Sequence, residues 1–211
     1  SKPNVYYAGE SLSKVDAVIP RIGASNTFYG TAVVRQFEVM GSYCVNSSVS
    51  ISQSRDKLRS LQILASAGIN MPITGFASHT KDIKSVINDI GSLPLIMKLL
   101  QGTQGQGIVL AETKQAAESV MSAFRQLDAD IMVQEFIKES KGEDIRALVV
   151  GDKVVASMKR IAPEGEFRSN IHQGGKTEPI ILSESEKLMV LKATKVLGLS
   201  IAGVDFMRSD R

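Results

Sequence analysis

An apolar segment that carries a lysine near its end is followed directly by a loop rich in glycine. The segment is Pro94-Leu-Ile-Met-Lys98-Leu-Leu-Gln, and Gly102, Gly105 and Gly107 follow it. Glycines let backbone N–H groups approach an anion without interference from Cβ, and the lysine adds a positive charge. This combination indicates a phosphate site. It also fits an ordinary connection between two hairpin strands, and the lysine precedes the glycines, unlike that of the common nucleotide hydrolases.

The composition is that of a globular protein large enough to bury a substantial core. The chain has 211 residues, 43% of them apolar, which is enough for one large or two small domains. No apolar run approaches the roughly 20 residues of a membrane helix, so we expect no membrane partner. A single cysteine, Cys44, favours a reducing cytoplasm and is interpreted as a packing residue. The net charge of +3 requires no nucleic-acid binding, and two histidines make a histidine metal site improbable.

Apolar periodicity and turn residues predict an alternation of helices with both single strands and hairpins. The predicted helices cover residues 31–40, 55–67, 82–90, 113–127 and 183–197. The predicted strands cover residues 16–19, 73–77, 95–99, 108–111, 131–136, 144–150, 153–160 and 201–207. The strand at 16–19 is expected to be buried, and the strand at 108–111 is expected to return antiparallel to 95–99. Mixed sheets with hairpins predict α+β layers rather than a regularly alternating parallel sheet.

The chain offers candidates for each group that phosphoryl chemistry needs. Lys57 and Lys98 are cationic, Glu135 and Phe136 lie at a strand end, and Asp205 interrupts an apolar strand. Lys98 and Asp205 must point outward or have partners, because burial of an unpaired charge is costly. A lysine on a helix, such as Lys57, is usually solvated, and Glu135 could point outward from its strand.

Further polar residues cluster in and after the predicted hairpin. Asp144 opens it, although an aspartate there could simply cap a turn, and Arg146 and Arg160 lie on its strands. The following segment, Phe167-Arg168-Ser169-Asn170, suits recognition of phosphate or carboxylate. An ordinary loop could have the same composition.

Taken together, these residues resemble the ATP-grasp superfamily, and specifically the RimK-type α-L-glutamate ligases that modify a ribosomal small-subunit protein. The resemblance covers essentially the whole chain in the family's order. It is carried by Val18-Ile-Pro-Arg-Ile-Gly23, Phe28-Tyr-Gly-Thr31, Arg55-Asp-Lys-Leu-Arg59, Lys98 with Gly102-Thr-Gln-Gly105, Val133-Gln-Glu-Phe136, Asp144-Ile-Arg146, Phe167-Arg-Ser-Asn170 and Ala202-Gly-Val-Asp-Phe206.

The resemblance implies an ATP-grasp fold in which two α+β lobes enclose ATP. It places residues 54–211 in the ATP-grasp domain and residues 1–53 in a partial N-terminal pre-ATP-grasp α/β domain. The glycine loop and Lys98 would contact phosphate, with Lys57 as a weaker phosphate candidate. Glu135 and Phe136 would lie at the adenine hinge, and Asp144 would hold ribose hydroxyls.

The same resemblance implies the remaining roles at the reacting groups. Arg168, Ser169 and Asn170 would face the phosphates and the reacting carboxylate. Arg146 and Arg160 are candidates for carboxylate recognition. Asp205 would be a ligand of Mg²⁺ or Mn²⁺.

The implied reaction activates a carboxylate with ATP as an acylphosphate, which the amine of L-glutamate attacks. The carboxylate would belong to the C-terminal glutamate of a ribosomal small-subunit protein or of a polyglutamate tail, and the enzyme would be a homo-oligomer. Compared with the family, the chain lacks a first strand and helix and a later Glu-x-Asn metal motif, so we expect a fragment that could itself be inactive.

Two alternatives stay open on the sequence. One is a related ATP-grasp ligase that acts on a cofactor or an amino-group carrier protein, because acceptor choice depends on loops. The other is a noncatalytic module that binds nucleotide and the ribosome.

Overall fold

The computed structural model describes residues 3–77, 82–100, 107–126, 130–163, 166 and 175–210. The chain divides into two compact units. Unit 1 contains Ser1–Ile69, Arg146–Met158 and Pro179–Asp205, and unit 2 contains Asn70–Ile145, Lys159–Glu178 and Phe206–Arg211.

The described residues form α-helices and strands, most of which the sequence predicts. The helices are α1 (Thr27–Val39), α2 (Ser48–Arg55), α3 (Lys57–Ser66), α4 (Ile83–Ile90), α5 (Lys114–Gln126) and α6 (Glu184–Val196). The strands are β1 (Tyr6–Tyr7), β2 (Glu10–Ser11), β3 (Ala17–Val18), β4 (Tyr43–Cys44), β5 (Thr74–Ala77), β6 (Leu95–Leu99), β7 (Ile108–Ala111), β8 (Ile131–Glu135), β9 (Glu143–Val150), β10 (Lys153–Ile161), β11 (Lys176–Pro179) and β12 (Ile201–Phe206).

The sheet of unit 2 has the strand order β5-β8-β6-β7, and every neighbouring pair in it is antiparallel. Strand β7 returns beside β6 with Leu95 opposite Ala111, which confirms the predicted antiparallel return. One face of the sheet is apolar and packs under α4 and α5. The buried core on that face consists of Ile87, Ile90, Leu95, Met97, Ala111, Ala117, Met121, Ile131 and Val133. Because side chains alternate along a strand, the opposite face carries the residues between them.

A second four-stranded sheet has the order β11-β10-β9-β12. Strands β9 and β10 are joined by the predicted two-residue turn, in which Gly151 has a φ of +61°. A positive φ favours glycine because it has no Cβ. Strand β11 was not predicted, and its four residues are exposed, so no apolar alternation marks it in the sequence.

Unit 1 carries four of the helices and two small strand pairs. Strands β1 and β2 are antiparallel, and β3 pairs in parallel with β4. The expectation of a buried strand at residues 16–19 is wrong: β3 has two residues, and the side chain of Ile19 is 68% exposed. An apolar run indicates a strand but does not show what covers it.

Helix α3 confirms the helix predicted over residues 55–67, whereas α2, which precedes it, was not predicted. The structure contains α2 and then α3, separated by Asp56, whose side chain accepts a hydrogen bond from the Arg59 backbone N–H at 2.9 Å. Helix α2 buries Ser48, Ser50 and Ile51. Buried serines leave no apolar stripe of helical period, and that is why the sequence pattern missed this helix.

Cys44 lies on β4, half-buried in unit 1, and its thiol contacts the carbonyl of Val34 at 3.8 Å. Burial raises the pKa of the Cys44 thiol, and the charge of Glu38 raises it further. A raised pKa keeps the group protonated and weakly nucleophilic at neutral pH, which agrees with a packing role.

Candidate active site

Lys98 begins a series of hydrogen-bonded polar groups. These groups lie on the face of the unit 2 sheet opposite the apolar core. The Lys98 ammonium donates a hydrogen bond to Gln134 Oε1 at 2.6 Å, and Gln134 Nε2 donates to Thr74 Oγ1 at 2.8 Å. Thr74 in turn donates to the Pro72 carbonyl at 2.7 Å. Ile96 lies opposite Gln134, so Lys98 and Gln134 are diagonal neighbours on adjacent strands. Of the two alternatives that the sequence leaves open for Lys98, an outward position or a partner, the structure shows a partner.

Gln134 and Thr74 were missed as members of this arrangement. Gln134 is only 4% exposed and sits in a strand whose five residues are all buried. A buried amide must have hydrogen-bond partners, so a glutamine within an otherwise apolar strand was an available signal. Thr74 offered no such signal, because threonine is common in strands.

Glu135 and Phe136 lie where β8 ends, beside an open cavity of about 380 Å³. Ser92, Leu93, Lys138 and Glu139 complete its lining. The Glu135 carboxylate accepts a hydrogen bond from the Ile73 backbone N–H at 2.6 Å and is buried. Glu135 thus ties the end of β8 to the entry of β5, and it forms one wall of the cavity. The predicted adenine contacts of Glu135 and Phe136 stay predictions.

Asp144 and Arg160 form an ion pair on β9 and β10 within unit 2. The Arg160 guanidinium donates two hydrogen bonds, from Nε to Asp144 Oδ1 at 2.6 Å and from Nη2 to Asp144 Oδ2. Arg160 is 5% exposed. Two residues that the sequence assigned to different substrate groups are therefore partners of each other. Their roles toward ribose and carboxylate stay predictions.

Lys159 adds a second set of charges beside this pair. Its ammonium lies 3.2 Å from a carboxylate oxygen of Glu143 and 3.3 Å from one of Glu178. The hydrogen bonds that the ammonium donates to these two carboxylates raise the pKa of Lys159.

Arg146 and Asp205 form a second bidentate pair, on β9 and β12 within unit 1. Arg146 Nε donates to Asp205 Oδ1 and Nη2 donates to Oδ2, both at 2.7 Å. Both side chains are about two-fifths exposed, unlike those of the Asp144–Arg160 pair. The resemblance implies carboxylate recognition by Arg146 and metal binding by Asp205 without relating the two residues, and both roles stay predictions.

The chemistry of Asp205 fits magnesium in one respect. Mg²⁺ is commonly held by one or two carboxylates together with substrate phosphates, rather than by a cage of protein ligands. Among the described residues there is no group of three histidine, cysteine, aspartate or glutamate side chains that could hold a metal. The partly exposed carboxylate of Asp205 therefore suits a magnesium ion that also binds substrate phosphate.

Lys57 is the first residue of α3 in unit 1, directly after the N-cap Asp56. Its side chain is half-buried, and burial lowers the pKa of the ammonium. Gly107 begins the return to β7 with a φ of +73°, and its carbonyl accepts from the Leu99 N–H at 3.0 Å. The predicted contacts of Lys57 and Gly107 with phosphate stay predictions.

The other predicted site residues lie outside the described residues: Gly102, Gly105, Arg168, Ser169 and Asn170.

Two family descriptions together match almost the whole length of the chain. The RimK-like ATP-grasp domain matches residues 54–211, and the RimK PreATP-grasp domain matches residues 1–51. A "Probable alpha-L-glutamate ligase" of Vibrio parahaemolyticus serotype O3:K6 (strain RIMD 2210633) is 61% identical over 209 residues, 99% of this chain and 69% of that protein. A protein with the same name from Picosynechococcus sp. (strain ATCC 27264 / PCC 7002 / PR-6) is 60% identical over 209 residues, with the same coverage.

Solved structures show the same fold at lower identity. The RimK domain protein ATP-grasp from Sphaerobacter thermophilus DSM 20745 has a TM-score of 0.72 and 21% identity, over 93% of this chain and 70% of that chain. The ATP-grasp ligase PsnB, complexed with a phosphomimetic precursor variant, Mg and ADP, has a TM-score of 0.66 and 22% identity, over 88% of this chain and 56% of that chain.

The fold and the relatives define an ATP-dependent ligase of the ATP-grasp class, a class that uses ATP and magnesium. Within that class, the chain belongs to the RimK-like ATP-grasp family. The fold prediction is thereby confirmed.

A membrane-crossing helix is not found anywhere in the part of the chain that the structure describes.

Proposed function

We propose that the protein adds L-glutamate to the C-terminal glutamate of a ribosomal small-subunit protein or of a polyglutamate chain, with ATP as the energy source. The observation that carries the proposal is the 61% identity, over 99% of the chain, to a protein named as a probable alpha-L-glutamate ligase. The paired cations and carboxylates in both units supply the groups that such a reaction needs. Residues 1–53 form the pre-ATP-grasp domain and residues 54–211 the ATP-grasp domain in this proposal, which the two family matches support.

The reaction has two group transfers. A carboxylate oxygen of the acceptor attacks the γ-phosphorus of ATP, the bond from that phosphorus to the β,γ-bridging oxygen breaks, and ADP leaves with the bond electrons. The deprotonated amine of glutamate then attacks the acyl carbon, and phosphate leaves as the carbon–oxygen bond breaks. The proton lost from the amine passes to solvent. The products are an amide, ADP and phosphate.

The residues of the chain have distinct tasks in this scheme. Lys98, held by Gln134, faces the phosphates and offsets the charge that develops on the transferred group. Glu135 and Phe136 border the adenine, and Asp144, fixed by Arg160, contacts the ribose. Arg168, Ser169 and Asn170 face the phosphates and the reacting carboxylate, and Lys57 and the glycine loop add phosphate contacts.

Magnesium or manganese belongs to the same scheme. Asp205 would hold the ion, which when bound would neutralise negative charge on the phosphates. Arg146 donates to the same carboxylate and orients it. A cytoplasmic location and a homo-oligomeric assembly complete the proposal, and the single cysteine is compatible with the former.

The test is an assay of the full-length protein that carries this sequence. ATP, Mg²⁺ and L-glutamate are combined with a peptide that ends in glutamate, and mass spectrometry follows the addition of glutamyl units while a coupled assay follows ADP. We expect glutamate-dependent growth of the peptide. ATP use with another amino acid, or with a small-molecule acceptor alone, would instead support a different ligase of the same fold.

Two lysine variants show whether the reaction occurs at the proposed site. Lys98→Met removes the charge beside Gln134 and should reduce kcat/KM by at least about 100-fold, because charge-stabilising groups contribute on that scale. Lys153→Met removes a charge from the exposed start of β10 and should leave the rate unchanged. Equal rates for both variants would contradict the assignment of Lys98.

A further inference from the structure

Unit 1 contains a cleft of about 680 Å³ that the proposed chemistry does not yet use. Its lining includes Arg21, Ile22, Asn46, Arg55, Ile201 and Gly203. Among the described residues that line it, two are arginines and none is an aspartate or glutamate. We call it the arginine cleft. Both arginines lie in segments that carry the family resemblance.

Arg55 is held in the arginine cleft by acceptors that do not neutralise its charge. Its Nη1 donates to Thr27 Oγ1 at 2.9 Å and its Nη2 donates to the Ile22 carbonyl at 2.5 Å. These neutral acceptors fix the orientation of the guanidinium plane and leave its positive charge intact. Preorganised arginine of this kind is suited to carboxylate and phosphate groups.

The loop that carries Arg21 is fixed from the other side by a close contact with α1. A Cβ added at Gly30 would lie 2.5 Å from Ile22 Cγ2, so only glycine lets Ile22 pack against the helix at this distance. Arg21, next to Ile22, is exposed and forms no hydrogen bond or ion pair with any residue that the structure describes. The backbone at Arg21 is therefore held in place, while the charge of the Arg21 guanidinium is accessible to a ligand.

Asn46 connects the wall of the arginine cleft to the start of β12. Its Oδ1 accepts from the N–H groups of Ser200 at 2.7 Å and Ile201 at 2.9 Å, and its Nδ2 donates to the Ile201 carbonyl at 2.7 Å. All of these contacts are internal, so Asn46 serves as a fixed element of the wall.

The lining of the arginine cleft reaches Gly203 on β12, two residues before Asp205. Ile201, Gly203 and Asp205 alternate along the strand and therefore share a face. Gly203 is exposed, and the nearest atom to a Cβ built there is Arg146 Nε at 4.0 Å. The absence of a side chain at Gly203 leaves the strand open between the cleft and the Arg146–Asp205 pair.

We propose that the arginine cleft binds the carboxylates of the acceptor's C-terminal glutamate, with Arg21 and Arg55 as its specificity-determining residues. The inference rests on the proposed function, since it names the part of unit 1 that selects the acceptor. A C-terminal glutamate carries two carboxylates. One is held by the arginines, and the other extends along β12 to the Asp205 end, where it is activated. The cleft volume lies within the range of small-molecule sites and admits a terminal residue with its neighbours.

The test measures binding without turnover. A fluorescein-labelled peptide that ends in Glu-Glu is titrated with the full-length protein and followed by fluorescence anisotropy. A second peptide has glutamine in place of both glutamates and a C-terminal amide. We expect saturable binding of the acidic peptide, at least tenfold weaker binding of the neutral one, and weaker binding at high salt. Inorganic phosphate is added as a competitor, and displacement of both peptides alike would overturn recognition of carboxylate.

Arg21→Gln is the main variant, because Arg21 makes no described contact that folding could require. It should weaken binding of the acidic peptide about tenfold, which is the effect of one lost charge-assisted contact. Arg21→Lys should recover part of the affinity, and Arg55→Gln should act in the same direction. Arg35→Gln, on exposed α1 surface outside the cleft, is the matched control and should bind as wild type.

The outcomes separate the inference from the proposed function. In the ligase assay, Arg21→Gln should raise the KM for the acceptor and leave the KM for ATP unchanged. Glutamate addition with wild-type acceptor affinity in Arg21→Gln overturns the inference and retains the function. Arg21-dependent binding of the acidic peptide, without glutamate addition, retains the cleft and refutes the function. Absence of binding by the wild-type protein overturns the inference.

Discussion

At the residue scale, charged side chains that look independent in the sequence are paired in the structure. Asp144 accepts both hydrogen bonds of the Arg160 guanidinium, and Asp205 accepts those of Arg146. The two pairs differ in exposure, since Arg160 is 5% exposed whereas Arg146 and Asp205 are about two-fifths exposed. The buried pair therefore contributes to the rigidity of the hairpin, while the exposed pair can exchange partners with ligands at low cost.

Replacement of Asp144 by asparagine should destabilise the protein through Arg160. The substitution removes the bidentate carboxylate and leaves the buried guanidinium charge less compensated, so we expect a loss of about 3 kcal/mol in the free energy of unfolding. Urea denaturation followed by circular dichroism measures it. The control, Asp152→Asn, changes an exposed turn aspartate and should cost less than about 0.5 kcal/mol. Equal unfolding midpoints for the two variants would show that the pair contributes nothing.

At the element scale, the helices that the sequence located best are those with chemical signals at their ends. Helix α6 begins after Ser183, whose hydroxyl accepts from the Glu186 N–H at 3.3 Å while the Glu186 carboxylate accepts from the Ser183 N–H at 2.8 Å. It ends before Gly198, which has a φ of +69°. This reciprocal capping is readable from Ser-x-x-Glu. Helix α2, with buried serines, carried no comparable apolar pattern and was missed.

Removal of the cap of α6 should lower stability by a predictable amount. Ser183→Ala leaves the first-turn N–H groups of α6 without their side-chain acceptor, and we expect a loss of about 1 kcal/mol. Ser66→Ala, at the exposed end of α3 in the same unit, removes a hydroxyl that bonds only within its helix and should be nearly neutral. Guanidinium unfolding of both variants measures the difference. A cost for Ser183→Ala no larger than that for Ser66→Ala would refute the capping argument.

At the scale of the whole molecule, the chain enters each compact unit more than once. Unit 1 takes residues from three separate segments of the chain, and so does unit 2. The candidate groups are divided in the same way: Lys98, Glu135 and Asp144 belong to unit 2, and Lys57, Arg146 and Asp205 belong to unit 1. Within each unit the candidate groups come from positions that are distant along the chain, so a ligand that contacts them binds the folded chain and not the unfolded one.

Nucleotide should therefore stabilise the protein by mass action. An ATP analogue with Mg²⁺ at about 100 times its Kd should add about 2.7 kcal/mol to the free energy of unfolding of the full-length protein. Differential scanning fluorimetry at increasing nucleotide concentration gives the shift in Tm. Lys98→Met should abolish most of the shift, whereas Lys153→Met should retain it. A shift of wild-type size in Lys98→Met would place the nucleotide elsewhere.

Much of the fold and part of the site could be predicted from the chain alone. The periodicity of apolar residues and the turn and cap residues located the sheet of unit 2, the β9–β10 hairpin and α6, since these signals are local. The combination of Lys98, the glycine loop and the strand-end residues indicated the ATP-grasp family, which the comparisons confirm. Strand β11 and the exposure of β3 could not be predicted, because they depend on which other elements of the tertiary structure pack beside these strands.

The sequence by itself determined the order of most elements, the family and the residue types available for chemistry. Only the tertiary structure decided which of those residues are partners. Lys98 and Gln134 are brought together by the register of β6 against β8, and Arg146 and Asp205 by the pairing of β9 with β12. Strand register joins residues that are distant along the chain, so no local pattern encodes it. The same holds for the arginine cleft, whose lining comes from residues 20–23, 46–55 and 199–203 of unit 1.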